Sequence, residues 1–279
     1  MENHNNNPEL RQWHETHKIA ENGVVFFLKK YEPNSYEIKN ELSWLLSSML
    51  KCCSQFKVPN VVDSSIEQGF VKMDFIETAE GKPNADILNY LVSVAAELHS
   101  IIKSDRPVLR NSVSSAEYSD FLGSYTAKRV TTIKDAGFEV PAEIIEWISR
   151  QISNLRTSSY SIVHRDMRSR HLLFSKNDTP TLIDWEFSNI SEPAQDVAKI
   201  IYDATVNGLS FEEVKTRVIG SYGYATNQSN DAVEDKVKVF LPIIPLERSM
   251  SLVNRRPKGY EQEVLSDLSF IRAVYDEYK

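Results

Sequence analysis

The stretch between residues 161 and 187, SIVHRDMRSRHLLFSKNDTPTLIDWEF, constrains this chain more than any other. Three short apolar runs, at 162–163, 172–174 and 181–183, alternate with polar segments. Runs this short, bounded by turn residues, read as strands. The first opens onto a loop carrying His164, Arg165 and Asp166, and the third ends on Asp184, Trp185 and Glu186. Strand, loop, strand, turn, strand puts Asp166 and Asp184 at strand ends facing one cleft.

The remainder of the chain supplies ordinary globular material around that stretch. At 279 residues it is long enough for one large domain or two lobes with a real core. The net charge of −7 lacks the basic field that general nucleic-acid binding needs. No run approaches ~18 apolar residues, so no membrane span is expected. The opening residues lack the basic and apolar regions of a secretory signal. Only two cysteines occur, the neighbours Cys52 and Cys53, which read as small buried residues on a helix rather than a disulfide framework. A cytoplasmic protein is the expectation.

Along the chain, residues 23–31 (GVVFFLKKY) form a strand after a turn glycine. Ile38, Leu42, Leu45, Leu46 and Met49 recur at helical spacing over 36–50. Residues 58–62 and 69–76 read as two further strands, and 77–84, with Gly81 and Pro83, as a linker. Beyond it the pattern turns helical. A nearly continuous apolar set spans 85–102, Ser114 and Glu117 are spaced as a capping box, and Pro141 fits the first turn of an amphipathic helix running to Leu155. Further helices are expected over 196–202, after Ser210 with Glu213, and over 264–278. The fold class is therefore α+β and bilobal: a small N-terminal lobe of sheet plus helix over residues 1–78, and a larger, mainly helical lobe over 79–279.

The order H-x-D, then two apolar residues and Asp, suits phosphoryl transfer. One carboxylate accepts the proton of an acceptor hydroxyl, and the other holds a metal ion against nucleotide phosphates. On these residues the sequence resembles the aminoglycoside phosphotransferase and choline kinase family, a branch of the protein-kinase-like fold. His164-Arg165-Asp166 matches the family's H-x-D, and Leu182 to Glu186 its I-D-W-E. Leu98-His99 resembles the ending of the helix after the hinge, and Asp196-Val197-Ala198 a characteristic helix start.

The resemblance implies ATP as donor, with GTP as the alternative, a divalent metal, Mg2+ or Mn2+, and a small-molecule hydroxyl acceptor such as an amino sugar or amino alcohol. By position, Asp166 would deprotonate the acceptor and Asp184 would ligate the metal, while His164 holds the loop. Lys29, with Lys30 as the alternative, would contact the phosphates and pair with Glu41, or with Glu37 one turn earlier. Residues 73–77, including Asp74, Phe75 and Ile76, would form the hinge that binds the adenine. Arg168 and Arg170 follow Asp166 closely enough to clamp the transferred phosphate. Helices after Ser210 would line the acceptor pocket.

Two departures stand out. Where the family has asparagine as a ligand of the second metal ion, this chain has His171, and imidazole suits manganese or zinc better than magnesium. No G-x-G-x-x-G loop occurs, and the 28 residues before Lys29 look short for two strands and a phosphate-covering loop. Both leave a second reading open, a pseudokinase that keeps the fold as a binding or regulatory module. A protein kinase fits less well, because no long activation segment separates Asp184 from the helix at Asp196. The pair His14 and His17 in HETH has the wrong spacing for an H-E-x-x-H zinc site.

Overall fold

A computed structural model describes residues 14–78, 84–108, 117–157, 159–175 and 179–279. Its N-terminal part is a four-stranded antiparallel sheet of order β1-β2-β4-β3, formed by β1 (His14–Glu21), β2 (Val24–Tyr31), β3 (Val61–Ser65) and β4 (Phe70–Asp74). Helix α1 (Tyr36–Leu45) packs on it through Ile38, Leu42 and Leu45. Strand β1 was not legible as a strand, because HETHKIAE is mostly polar, without an apolar alternation, and lies on an exposed edge. The overlooked signal is Asn22-Gly23: both residues take positive φ, as the two-residue loop of a tight hairpin requires. Among the described residues one strand, β1, precedes the strand of Lys29 on its hairpin; residues 1–13 lie outside the described residues.

Several boundaries move for identifiable reasons. Pro59 cannot donate to a ladder, so the strand expected at 58–62 begins instead at Val61. Helix α1 stops at Leu45, short of Ser47 and Ser48, whose hydroxyls compete for backbone hydrogen bonds. A separate 3-10 turn, Leu50–Cys52, follows, so the cysteines are not buried helix residues: Cys52 is exposed and Cys53 half-buried, both free. Gly69, at φ +70°, is a second glycine on which the sheet depends. A Cβ there would lie 2.4 Å from the Tyr31 carbonyl, against which β4 begins.

The helical part comprises α2 (Asn84–Ile101), α3 (Tyr118–Asp135), α4 (Ala142–Asn154), α5 (Ala194–Val206), α6 (Phe211–Thr226), α7 (Asn230–Phe240), α8 (Ile243–Arg255) and α9 (Tyr260–Tyr278). Pro141 and Ser210 precede α4 and α6 as N-caps, though neither Ser210 nor Pro141 makes a side-chain cap bond. The Ser114 box and most of the 77–84 linker lie outside the described residues.

Four short strands are embedded among the helices. β5 (Ser161–Val163) pairs with β8 (Asn189–Ser191), and β6 (Leu172–Leu173) with β7 (Thr181–Leu182). Helices α2 and α5 form the centre of the core, where Ala95, Leu98, Val197, Ala198 and Ile201 are fully or almost fully buried. Among the described residues no helix is long and apolar enough to cross a membrane.

Far from the cleft, α4 docks on α9 through Trp147, which is 1% exposed and meets Tyr275 edge to face. Replacing it removes a large buried ring that the surrounding helices cannot close over. Trp147→Ala is expected to lower unfolding free energy by about 3–5 kcal/mol, read from the urea midpoint at unchanged slope.

Candidate active site

Strand alternation decides which lysine enters the cleft. Phe27, Lys29 and Tyr31 share one face of β2, while Lys30 faces outward and is exposed. Lys29 is 3% exposed, and its ammonium donates to three carboxylates: Glu41 Oε1 at 3.0 Å, Asp184 Oδ1 at 2.8 Å and Glu186 Oε2 at 3.0 Å. Its helix partner is thus Glu41 rather than Glu37. Burial alone would favour the neutral amine, but the three acids outweigh it and hold the lysine charged. The carboxylates divide in turn. Asp184 is half-buried, and against the effect of that burial Lys29 and His171 hold its pKa below the usual range. Glu41 is the most buried and is pushed upward by that burial and by the neighbouring acids. The Tyr31 hydroxyl hydrogen-bonds Glu41 and, at 3.1 Å, Glu186.

The loop after β5 is held from beneath by α5. Asp196 Oδ2 and Oδ1 accept the backbone N–H groups of His164 at 2.8 Å and Arg165 at 2.7 Å. One turn on, Lys199 reaches Asp166 Oδ1 at 3.0 Å, and Asp203 accepts from the backbone and hydroxyl of Ser169 at 3.0 and 2.8 Å. Arg165 is left in a strained left-handed conformation, φ +67°. Its side chain offsets that strain by donating to Tyr125 Oη and Glu247 Oε1, both at 3.1 Å. His164 is buried, and its Nε2 lies 2.9 Å from the Ile183 carbonyl, tying the loop to β7.

Asp166 itself is mostly buried. Burial would raise its pKa, but Lys199, Arg168 and His171 together hold it well below the usual carboxylate range. Arg168 Nε is 2.5 Å from Asp166 Oδ1, so this arginine is engaged with the carboxylate rather than extended as a free clamp. Arg170 is exposed and turns the other way, with its Nε donating to His171 Nε2 at 3.1 Å. His171 stands between the two aspartates. Its Nδ1 is 2.8 Å from the Asp166 carbonyl, and its Nε2 is 3.4 Å from Asp184 Oδ2. Burial holds the ring below its ordinary pKa against the pull of both acids. A proton on Nδ1, given to the carbonyl, leaves the Nε2 lone pair turned towards Asp184.

Beside these groups opens a cavity of about 400 Å3. Phe27, Met73, Phe75, Ile76, Leu173 and Ile183 supply its apolar walls, and Lys29, His171 and Asp184 its polar end. Asp74 also lines it, with its carboxylate accepting from Asn60 at 3.2 Å. The expected hinge therefore borders the same cleft as the expected phosphate and metal residues.

Four site residues escaped the sequence reading as such. Glu186 was visible in the I-D-W-E run but not as a lysine partner. His14 had been dismissed with its motif, yet from β1 its Nδ1 comes within 2.9 Å of Glu186 Oε2. Lys199 and Glu247 carry no motif. The only available hint was the spacing Asp196, Lys199, Asp203, which is one stripe of a helix.

The profile of the phosphotransferase enzyme family matches residues 17–225 of the sequence. Among curated protein sequences none matches significantly. Solved structures share the fold at low identity. The choline kinase LicA from Streptococcus pneumoniae superposes with a TM-score of 0.64 at 14% identity, covering 94% of this chain and 90% of that one. The macrolide 2'-phosphotransferase MphH from Brachybacterium faecium gives 0.60 at 14%, covering 93% and 89%. A thermostable mutant of aminoglycoside phosphotransferase APH(4)-Ia, in ternary complex with ADP and hygromycin B, gives 0.64 at 11%, covering 93% and 92%. With most of its length matched and its sheet followed by a helical part as in these kinase-like structures, the chain belongs to the phosphotransferase enzyme family.

Proposed function

We propose that this enzyme transfers the γ-phosphoryl group of ATP, with GTP as the alternative donor, to a hydroxyl of an amino sugar, amino alcohol or related small metabolite. The observation that carries the reading is the convergence on one cleft. Lys29, Glu41 and Asp184 meet at the polar end of an apolar cavity, and Asp166 lies on the other side of His171. That shared fold includes a structure holding ADP and hygromycin B, which supports a nucleotide donor and a small-molecule acceptor.

In this reading residues 1–78 form the nucleotide-binding lobe and 79–279 the catalytic and acceptor-binding lobe. Main chain at Asp74, Phe75 and Ile76 faces the purine, and Lys29, fixed by Glu41, faces the phosphates. Asp166 takes the proton of the acceptor hydroxyl. Arg168, and Arg170 once released from His171, neutralise charge on the phosphoryl group in flight. The residues also fit a divalent cation. Three carboxylates, two of them buried, share one lysine, and the His171 tautomer leaves a lone pair beside Asp184. Asp184 and His171 would hold Mg2+, or Mn2+, which an imidazole suits better. When bound, the cation supplies charge neutralisation at the phosphate oxygens. The free cysteines agree with a cytoplasmic setting.

His171, where the family has asparagine, favours the rival reading of a nucleotide-binding module without turnover, and two substitutions separate the two. Asp166→Ala is expected to lower phosphoryl transfer by about a hundredfold or more while the nucleotide-dependent rise in melting temperature persists. Asp184→Ala is expected to abolish that metal-dependent rise. Full activity in the first variant would remove Asp166 from its role, and a wild type that binds nucleotide but never turns over would establish the rival.

The depressed carboxyls also set an acid limit on stability. Asp166 and Asp184 have folded-state values below their unfolded ones, so they contribute stability above the usual carboxylate pKa. That contribution disappears as protons are taken up below about pH 4. Urea midpoints measured from about pH 7 down to about pH 3 should therefore fall, and Asp166→Asn should make the fall shallower.

A further inference from the structure

We propose that Lys199 is a positioning residue for phosphoryl transfer. It fixes one oxygen of Asp166 so that the other is presented to the acceptor hydroxyl. The inference rests on the reading of Asp166 as the proton acceptor and adds a residue that neither the H-x-D nor the I-D-W-E motif contains.

Lys199 is 5% exposed, inside a helix whose other buried residues are mainly apolar. A buried ammonium is costly unless it has a specific partner. Its partner is Asp166 Oδ1 at 3.0 Å, the same oxygen that Arg168 Nε approaches at 2.5 Å. The second oxygen is treated differently. Among the described residues the side-chain nitrogen that approaches Oδ2 is His171 Nδ1 at 3.6 Å, on a ring whose Nδ1–H is already committed to the Asp166 carbonyl at 2.8 Å. Two cations therefore converge on one oxygen, and among the described residues none donates a hydrogen bond to the other.

Such asymmetry matters for the transfer step. The acceptor oxygen bonds to phosphorus as the bond from phosphorus to the ADP oxygen breaks, and the hydroxyl proton passes to Asp166. An oxygen already accepting from an ammonium and a guanidinium cannot line up with that hydroxyl, whereas Oδ2 can. Arg168 is a partly exposed loop residue, while Lys199 is buried on a helix whose Val197, Ala198 and Ile201 lie in the core. Its neighbours on α5 serve the same loop. Asp196 holds the backbone at 164 and 165, and Asp203 holds Ser169. Lys199 is the member of that stripe that reaches the reacting side chain.

The test uses full-length protein and ATP with Mg2+ or Mn2+, following ADP release with water as surrogate acceptor. Nucleotide binding is measured in parallel by thermal shift. Lys199→Met is expected to lower kcat at least tenfold, leave KM for ATP within twofold and preserve the nucleotide-dependent shift. Lys199→Arg is expected to recover part of the loss. In an Asp166→Asn background, Lys199→Met should have little further effect, because the group it positions is gone. A purely structural lysine would instead give losses that multiply. If Lys199→Met does not fold, Lys199→Gln, which keeps an N–H donor without the charge, carries the same comparison. Wild-type kcat in either folded variant, a changed KM with unchanged kcat, or multiplying losses in the double variant would overturn the assignment. A wild type that neither binds nucleotide nor releases ADP would instead overturn the reading of the site, and this inference with it.

Discussion

A buried ammonium spans the two parts of this molecule at the cleft. Lys29 projects from the sheet, yet two of its three carboxylate partners, Asp184 and Glu186, belong to the segment after β7 in the helical part. Pairing across that boundary is strong because all the groups but Asp184 are almost wholly excluded from water. It is also unbalanced, since three acids face one lysine. Glu41 is pushed towards protonation, first by its burial and then by the neighbouring acids, and accepts a hydrogen bond from the Tyr31 hydroxyl. A site with such an excess of negative charge is suited to receive a cation, and Lys29 is then free to turn to an anionic ligand.

The other half of the cleft depends on α5. Asp196, Lys199 and Asp203 recur at intervals of three and four, so they lie along one face of the helix and reach successive points of the loop above. Asp196 is itself braced. His99 Nε2 on α2 lies 3.1 Å from it, and the same ring contacts Tyr222 on α6 at 2.8 Å. Three helices thus converge on one carboxylate, which holds two backbone N–H groups of the H-x-D loop. This network allows Arg165 to sit at positive φ, a conformation that costs a residue with a Cβ about 1–2 kcal/mol. The strain turns the chain at the residue just before Asp166.

Much of this was readable beforehand because the decisive signals were local. Short apolar runs ending on His164, Asp166 and Asp184 fixed the strand ends, and strand alternation reduced the lysine to Lys29 or Lys30. Choosing between those two required the register of β2, and choosing Glu41 over Glu37 required the angle of α1; neither is a property of neighbouring residues. Strand β1 was invisible because an exposed edge needs no apolar face, so His14 entered the cleft unannounced. Lys199 was invisible for the opposite reason. In sequence it is one polar residue in an apolar helix, and only the packing of α5 under the loop shows that its charge has a partner.

His171 is where the proposed activity and its rival part. A site drifting away from catalysis would be expected to lose the mutual support of its side chains. Here the replacement is integrated: Nδ1 is satisfied by the carbonyl of the very aspartate whose carboxylate it neighbours, and Nε2 is turned towards Asp184. The group now occupying that lone pair is Arg170, an exposed side chain that solvent can accommodate if it is displaced. Exchanging an amide oxygen for imidazole keeps one neutral donor at the same place and changes its softness. On the proposed reading, the departure from the family pattern therefore alters which divalent ion the site prefers before it alters whether the site can work.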